Sequence, residues 1–238
     1  MVYLLLASDR VLILSSEHLL PIGMALVFSV LIMHYAKSLT LKKQQFLVHV
    51  VAVLISLVVV VFHGYKMLTT TYQIQTDLPL YLCSLLGILI PIFTYFKRYW
   101  MFEILVFWII AGTLQGVITP DISVGFPSFD YFRYWIVHLG LLFIIFYHIY
   151  IFKLKPRLKS VVKSFLALQV YIALMFLINK LLNANYCYLN KKPESASLLD
   201  YFGEWPIYII TAQLIVIPFF LLIYLPFYLA NKNVKRIF

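Results

Sequence analysis

A cysteine at the start of an apolar stretch is the side chain with the clearest potential for chemistry in this sequence. Cys83 closes the segment Asp77-Leu-Pro-Leu-Tyr-Leu-Cys83, and Gly87 follows four residues later. Pro79 suits the first position of a helix, which predicts that Cys83 lies about one turn into it, roughly 6–8 Å below a membrane boundary. A thiol at that depth can act as the nucleophile of an acyl transfer. The alternative is that Cys83 only fills a small apolar space.

His138 is the candidate general base for that thiol. It lies about 10 Å from the same predicted membrane face, close to the depth of Cys83. An imidazole there can take the thiol proton so that the sulfur attacks an ester carbonyl, and the amides of Gln115 or Asn179 can stabilise the resulting oxyanion. Each of these polar side chains could equally form a hydrogen bond between helices.

Further polar side chains are predicted near this face of the membrane. His18, His63 and Gln213 fall in the outer third of their predicted helices. Lys191 and Lys192 lie in a long loop on the same side, where they suit phosphate groups as point charges, although solvated loop lysines are also consistent with the pattern. We therefore include His18 and Lys192 among the candidate substrate-binding residues.

Composition defines the class of protein that must position these side chains. The chain has 238 residues, of which 63% are hydrophobic and 12% charged. Continuous apolar runs predict an all-α, polytopic membrane bundle forming one domain over residues 1–238, not a β-barrel or a soluble domain. Two cysteines form neither a disulfide framework nor a zinc site, so we expect no metal and no cofactor.

Seven membrane-spanning helices are predicted, each near the roughly 20 residues that a bilayer core requires. Residues 1–16 are too short to span and are predicted to lie at the interface. The predicted spans cover about 18–36, 45–65, 78–96, 100–118, 131–152, 161–182 and 206–230.

The charged residues predict the orientation of the bundle. Most of the 19 Lys and Arg residues follow spans one, three, five and seven, and all but one of the nine acidic residues lie on the opposite side. The positive-inside rule then predicts an outer N-terminus and a cytoplasmic C-terminus in the cell membrane. This placement indicates contact with anionic lipid and argues against nucleic acid as a partner.

Several segments along the chain form a recognisable set of motifs. They are Leu78-Pro-Leu-Tyr-Leu-Cys83, Gly112-Thr-Leu-Gln-Gly-Val-Ile-Thr-Pro-Asp121, Phe129 to His138-Leu-Gly, Asn185-Tyr-Cys-Tyr-Leu-Asn-Lys-Lys-Pro193, Ser197-Leu-Leu-Asp and Trp205-Pro-Ile-Tyr208. From about His18 to Pro226 the chain thereby resembles the YwaF-type family of integral membrane proteins, which is similar to the vertebrate phospholipid acyltransferase transmembrane protein 164.

The resemblance implies Cys83 as nucleophile and His138 as base, with Asn185 and Tyr186 lining the site. Ile207 stands where a second aromatic residue is expected, and Ala184 where threonine is expected. Neither departure touches the candidate pair.

The leading hypothesis is a phospholipid transacylase that passes through an acyl-thioester and takes phospholipid and lysophospholipid as substrates. Because the predicted site faces outward, a resident phospholipid is the expected donor instead of a cytoplasmic thioester. With water as acceptor the same pair would make a lipid hydrolase. The alternatives are a non-enzymatic seven-helix protein that binds or transports an amphiphile, and a structural subunit of a larger complex. The oligomeric state is left open.

Overall fold

The structure, a computed structural model, describes residues 10–193 and 197–234, which contain seven helices, two short 3₁₀ turns and no strand. The 3₁₀ turns cover Tyr186–Tyr188 and Leu198–Phe202. The helices are α1 (Ser16–Lys37), α2 (Leu41–Thr69), α3 (Leu82–Phe96), α4 (Tyr99–Ile118), α5 (Phe129–Tyr150), α6 (Leu158–Leu182) and α7 (Ile207–Val234).

The prediction of an all-helical membrane protein is confirmed, and the number of full-length spans is corrected. Six helices are long and apolar enough to cross a membrane, whereas α3 has only 15 residues. At 1.5 Å per residue α3 extends about 22 Å, short of the roughly 30 Å of a hydrocarbon core. Most of the segment predicted at the interface, residues 1–9, lies outside the described residues, and residues 10–15 precede α1 without forming a helix.

The two ends of the bundle differ in the length of their connections. At the short-connection end, residues 38–40, 97–98 and 151–157 join successive helices; at the long-connection end, residues 70–81, 119–128 and 183–206 do so. Cys83 lies near the long-connection end. Which end faces the cytoplasm stays a prediction from the distribution of Lys and Arg.

The centre of the bundle is formed by α2, α3, α4 and α5, and α5 is the most buried of the six long helices. Two glycines let these helices come close together. A Cβ on Gly87 would lie 3.2 Å from side-chain atoms of both Val59 and Val137, and a Cβ on Gly140 would lie 2.5 Å from Ile55. Gly87 and Gly140 therefore lie at close contacts between helices, as is common for small residues at membrane helix interfaces.

The chain before α3 is not helical, which corrects the position predicted for Pro79. Residues 78–81 form turns, and α3 begins at Leu82. The backbone groups that a helix would have paired are bound by tyrosine hydroxyls instead. Tyr171 of α6 donates to Leu80 O at 2.7 Å, while the Tyr186 hydroxyl donates to Ile74 O and accepts from the Leu78 amide. Irregular backbone inside a membrane protein requires such partners.

A buried carboxylate joins α4 to α6 near the short-connection end. Glu103 is only 1% exposed and accepts hydrogen bonds from Arg157, Ser160 and Lys163. Because a carboxylate in this environment is tolerated only when it is fully paired, the cluster fixes the two helices against each other.

Candidate active site

Cys83 lies in the first turn of α3 and is its second residue, not one full turn inside the helix as predicted. Its side chain is partly exposed, and both Cys83 and Cys187 are free thiols. The N–H groups of a first helical turn have no acceptor within the helix, and the helix dipole favours negative charge there. An apolar environment disfavours a thiolate, however, so activation of Cys83 also requires a nearby donor or base.

Thr113 is the hydrogen-bonding partner of the Cys83 thiol. The Thr113 Oγ1 lies 3.7 Å from Cys83 Sγ, and either group can be the donor. Thr113 is fully buried, and its hydroxyl forms no other side-chain hydrogen bond within the described residues. Within the described residues, this buried hydroxyl has the Cys83 thiol as its hydrogen-bonding partner. It is therefore suited to orient the thiol and to donate a hydrogen bond to the thiolate.

The backbone of α4 places Thr113 at this point. Residues Ile109–Thr113 form a π-helical turn inside an otherwise α-helical segment. A π-turn inserts one extra residue per turn and rotates the following side chains around the helix axis, and such turns are frequent at functional sites. The turn occurs where α4 packs against both α3 and α5.

His138 of α5 lies against the same stretch of α4. Its Nδ1 lies 2.8 Å from the Tyr134 carbonyl oxygen, and its ring stacks on the Tyr134 ring at 3.9 Å. Because a carbonyl only accepts, Nδ1 carries the proton and Nε2 keeps its lone pair. Nε2 forms no hydrogen bond with any described residue. This tautomer is the one that a general base requires.

Gly116 provides the space for the His138 ring. A Cβ on Gly116 would lie 2.8 Å from both Nε2 and Cδ2 of His138, closer than real side-chain contacts. The Gly116 carbonyl also accepts a hydrogen bond from the Tyr134 hydroxyl at 2.8 Å. Only glycine at this position lets the imidazole pack directly on the α4 backbone.

Cys83 and His138 are thus brought to one short stretch of α4 but are not hydrogen-bonded to each other. Thr113 contacts the thiol, and Gly116, three residues later, contacts the imidazole. Positions three apart on a helix share a face. Since α3 and α5 also meet directly at Gly87 and Val137, the two candidate catalytic side chains border the same region of the bundle.

A charged group lies beside the start of α3. Arg133 bonds Asp130 at 2.5 Å, its guanidinium lies 4.5 Å from the centre of the Phe62 ring, and its Nη1 lies 3.5 Å from Ser84 Oγ. Ser84, the residue after Cys83, is therefore hydrogen-bonded to an arginine whose charge is balanced by Asp130. This arrangement fixes the first turn of α3 against α5.

Three tyrosines pack together beside the segment that leads into α3. Tyr81 packs between Tyr186 and Tyr188, with ring centres 5.4 Å and 5.6 Å away. Burial, together with the adjacent Tyr186 hydroxyl, raises the pKa of Tyr81 to about 12, so this ring stays neutral. Cys187 lies 2.9 Å from the Tyr171 hydroxyl, and burial raises the pKa of the Cys187 thiol. The Tyr81–Tyr186–Tyr188 group thus packs the 183–206 connection against the chain two residues before Cys83.

Two predicted substrate-binding residues are engaged in local structure. His18 accepts from the Leu14 amide at Nδ1, within the turn before α1, and its Nε2 lies 2.8 Å from Val117 O, so Nε2 holds α1 to the end of α4. Gln115 donates to Thr119 within the last turn of α4. Neither side chain contacts Cys83 or His138, and the oxyanion role predicted for Gln115 has no geometric support.

The other predicted substrate-binding residues organise the 183–206 connection. Asn179 accepts from the Tyr186 amide at 2.7 Å and donates to the Tyr186 carbonyl at 2.9 Å. Tyr186 is fully buried, and Asn185 binds backbone groups of Asn190 and Lys191. Lys192 pairs with Glu204 at 3.1 Å. These residues hold the connection together, and among the described residues none of them forms a hydrogen bond with Cys83 or His138.

Sequence reasoning missed Thr113, Gly116 and Tyr171. The pair Gly112 and Gly116, four residues apart with a threonine between them, is the signal that could have indicated a close helix contact. Nothing in the sequence marks the π-turn that aims Thr113 at α3. Tyr171 carries no signal either, because its partners at Leu80 and Cys187 are distant in the chain. Among the described residues, no group of three or more His, Cys, Asp or Glu side chains could hold a metal ion.

Comparison with known proteins identifies the family of this chain. A sequence model of the TMEM164 family matches residues 13–224, a range that contains Cys83, Thr113, Gly116 and His138. The chain belongs to the TMEM164 family. The resemblance inferred from the motifs is therefore confirmed at the level of the family. No curated protein and no solved structure matches the chain.

Proposed function

We propose that this member of the TMEM164 family is a membrane-embedded acyltransferase in which Cys83 is the nucleophile and His138 the general base. The observation that carries the proposal is that residues 113–116 of α4 contact both side chains, the thiol through Thr113 and the imidazole through Gly116. The tautomer of His138, with a proton on Nδ1 and a free Nε2, supports the assignment of the base.

In the first half of the reaction, Cys83 transfers its proton to His138 Nε2 and the sulfur attacks the ester carbonyl of a donor phospholipid. The ester C–O bond breaks, the acyl group forms a thioester with Cys83, and the leaving lysophospholipid oxygen takes the proton from His138. The proposal requires Nε2 and Sγ to come within about 3.5 Å when substrate is bound, which apo active sites often do not show.

In the second half, an acceptor hydroxyl gives its proton to His138 Nε2 and attacks the thioester carbonyl. The C–S bond breaks, the new ester leaves, and the proton returns to the sulfur. A lysophospholipid as acceptor makes the enzyme a transacylase, and water makes it a hydrolase. The buried surroundings of Thr113, the partner of the thiol, favour transfer because they restrict water at the thioester.

An exchange assay tests this proposal. The purified protein is placed in lipid nanodiscs with a phospholipid whose acyl chain is deuterated and with an unlabelled lysophospholipid, and new deuterated diacyl lipid is measured by mass spectrometry. We expect transfer by the wild type, none by Cys83→Ala, and a loss of at least about a hundredfold in His138→Asn, given the usual contribution of a general base. A protein that binds or transports an amphiphile without covalent chemistry would show no exchange in any variant, and this result would refute the proposal.

A further inference from the structure

An open cleft of about 780 Å³ lies between the end of α6 and the 183–206 connection. We call two of its apolar lining residues, Phe176 and Leu177 of α6, the floor, and two of its polar lining residues, Lys180 and Asn190, the rim. Trp205 of the 183–206 connection also lines the cleft. A cleft of this size can hold a headgroup with the first part of an acyl chain.

The floor of the cleft is continuous with the bilayer-facing side of α6. Apolar side chains along this helix are strongly exposed, including Val170 at 62%, Leu174 at 52%, Leu177 at 54% and Leu181 at 70%. A long helix that presents such a surface in a membrane protein contacts lipid chains. An acyl chain that packs along the exposed side of α6 would therefore contact Phe176 and Leu177 of the cleft.

The rim carries a cation, Lys180, that forms no ion pair with the described residues. Four other basic side chains at this end do form ion pairs. The pairs are Arg10–Asp121, Lys66–Asp77, Arg133–Asp130 and Lys192–Glu204. Lys180 lies in the last turn of α6 and lines the cleft together with the apolar floor. An ammonium group next to an apolar surface is complementary to an amphiphile with a negative head.

Trp205 completes the amphipathic lining of the cleft. Its indole is 58% exposed, while its Nε1–H donates to Leu189 O at 3.1 Å and so fixes the ring on the connection. An exposed, oriented tryptophan is typical of the level where lipid glycerol and headgroups meet the chains.

We propose that this cleft binds one anionic phospholipid of the surrounding bilayer, with the phosphate on Lys180 and the start of an acyl chain on Phe176 and Leu177. The proposal does not depend on acyl transfer at Cys83. Binding here also bears on the candidate active site, because Asn179 lines the cleft and holds Tyr186, which packs on Tyr81. A bound lipid would thus stabilise the connection that packs against Tyr81, two residues before Cys83.

Quenching of Trp205 by brominated lipids tests this site without any turnover. The protein carrying Cys83→Ala is placed in nanodiscs that contain either brominated phosphatidylglycerol or brominated phosphatidylcholine. The signal of Trp205 is obtained by subtracting that of the matching Trp205→Phe protein. We expect the wild-type cleft to favour phosphatidylglycerol over phosphatidylcholine by about fivefold, the contribution of one lysine near a membrane surface.

Three variants separate the cleft from general surface charge. Lys180→Gln is expected to lose the preference, and Lys180→Arg to keep it. Lys191→Gln, which removes the same charge from a nearby exposed lysine outside the cleft lining, is also expected to keep it. An unchanged preference in Lys180→Gln, or an equal loss in Lys191→Gln, would overturn the proposal.

Discussion

Thr113 and Gly116 determine how the two candidate catalytic side chains pack against α4. The buried hydroxyl of Thr113 has the Cys83 thiol as its partner, and the missing side chain of Gly116 makes room for an imidazole. Both contacts depend on single groups, a hydroxyl and a hydrogen atom. Each contribution can therefore be tested by a substitution that changes one such group, compared with a matched control.

Replacing Thr113 with valine removes the hydroxyl but keeps the shape of the side chain. A hydrogen bond to a charged group contributes about 1.5–3 kcal/mol, so we expect alkylation of Cys83 to slow by about tenfold or more. The measurement is the rate of reaction with a membrane-permeant maleimide in a Cys187→Ala background. Thr113→Ser, which keeps the hydroxyl, should react at close to the wild-type rate. Equal rates for the valine variant and the wild type would show that the Thr113 hydroxyl does not act on the thiol.

Replacing Gly116 with alanine puts a methyl group 2.8 Å from the His138 ring, so the ring must move. We expect transfer activity to fall by about tenfold or more and the stability of the fold to drop by about 1–3 kcal/mol, as for other overpacked sites. Gly112→Ala is the matched control. Its methyl group would meet only the flexible tip of Leu82 at 3.0 Å, so activity should change little. The idea fails if both variants behave alike in the nanodisc exchange assay.

At the scale of elements, the short α3 and the non-helical segment before it define the site. The 70–81 segment is held by Tyr171 and Tyr186 and by an ion pair between Asp77 and Lys66 at 2.5 Å. Burial opposes ionisation of Asp77, but the Gln73 amide and the Lys66 ammonium outweigh it and hold the pKa of Asp77 below its usual value. The segment before α3 is thus held in part by the Asp77–Lys66 ion pair, whose strength depends on the protonation of Asp77.

The Asp77 ion pair predicts a dependence of stability on pH. Because the folded pKa of Asp77 is depressed, its contribution is present above the unfolded value of about 3.9 and is lost as pH falls through the folded value. Asp77→Asn should lower the apparent unfolding temperature at pH 7, and its difference from the wild type should shrink at pH 3. Glu204→Gln, at an exposed ion pair, should have little effect at either pH. A constant difference between wild type and Asp77→Asn across this range would contradict the assignment.

The 183–206 connection depends on Asn179 for its position against the segment before α3. Asn179→Ala removes two buried hydrogen bonds to Tyr186, and each buried group left unpaired costs about 1–3 kcal/mol. We expect faster hydrogen–deuterium exchange in the connection without unfolding of α6. Gln169→Ala, which breaks one bond to Gln213 between α6 and α7, should leave this exchange unchanged. Unaltered protection of the connection in Asn179→Ala would mean that other contacts hold it.

At the scale of the whole molecule, the sequence predicts what depends on apolar runs and misses what depends on distant contacts. Six of the seven predicted helices are full spans because continuous hydrophobic stretches specify them directly. The third was predicted too long, since the tyrosines that bind the backbone of residues 74–80 come from α6 and from the last long connection.

The same limit applies to the site. Cys83 and His138 were predicted from residue type and depth, and the structure brings both to α4. The amides of Gln115 and Asn179 were predicted to face the reaction, but local partners engage them. Depth alone does not indicate the direction of a side chain around its helix. The π-turn that directs Thr113 leaves no pattern in the sequence.

The most direct test of the account is the intact mass of the protein after brief incubation with a deuterated donor phospholipid and no acceptor. We predict one added acyl chain, located on Cys83 by peptide mapping, removed by neutral hydroxylamine, and missing in Cys83→Ala while Cys187→Ala retains it. An unmodified Cys83 under conditions in which the wild type transfers acyl chains to lysophospholipid would contradict the account.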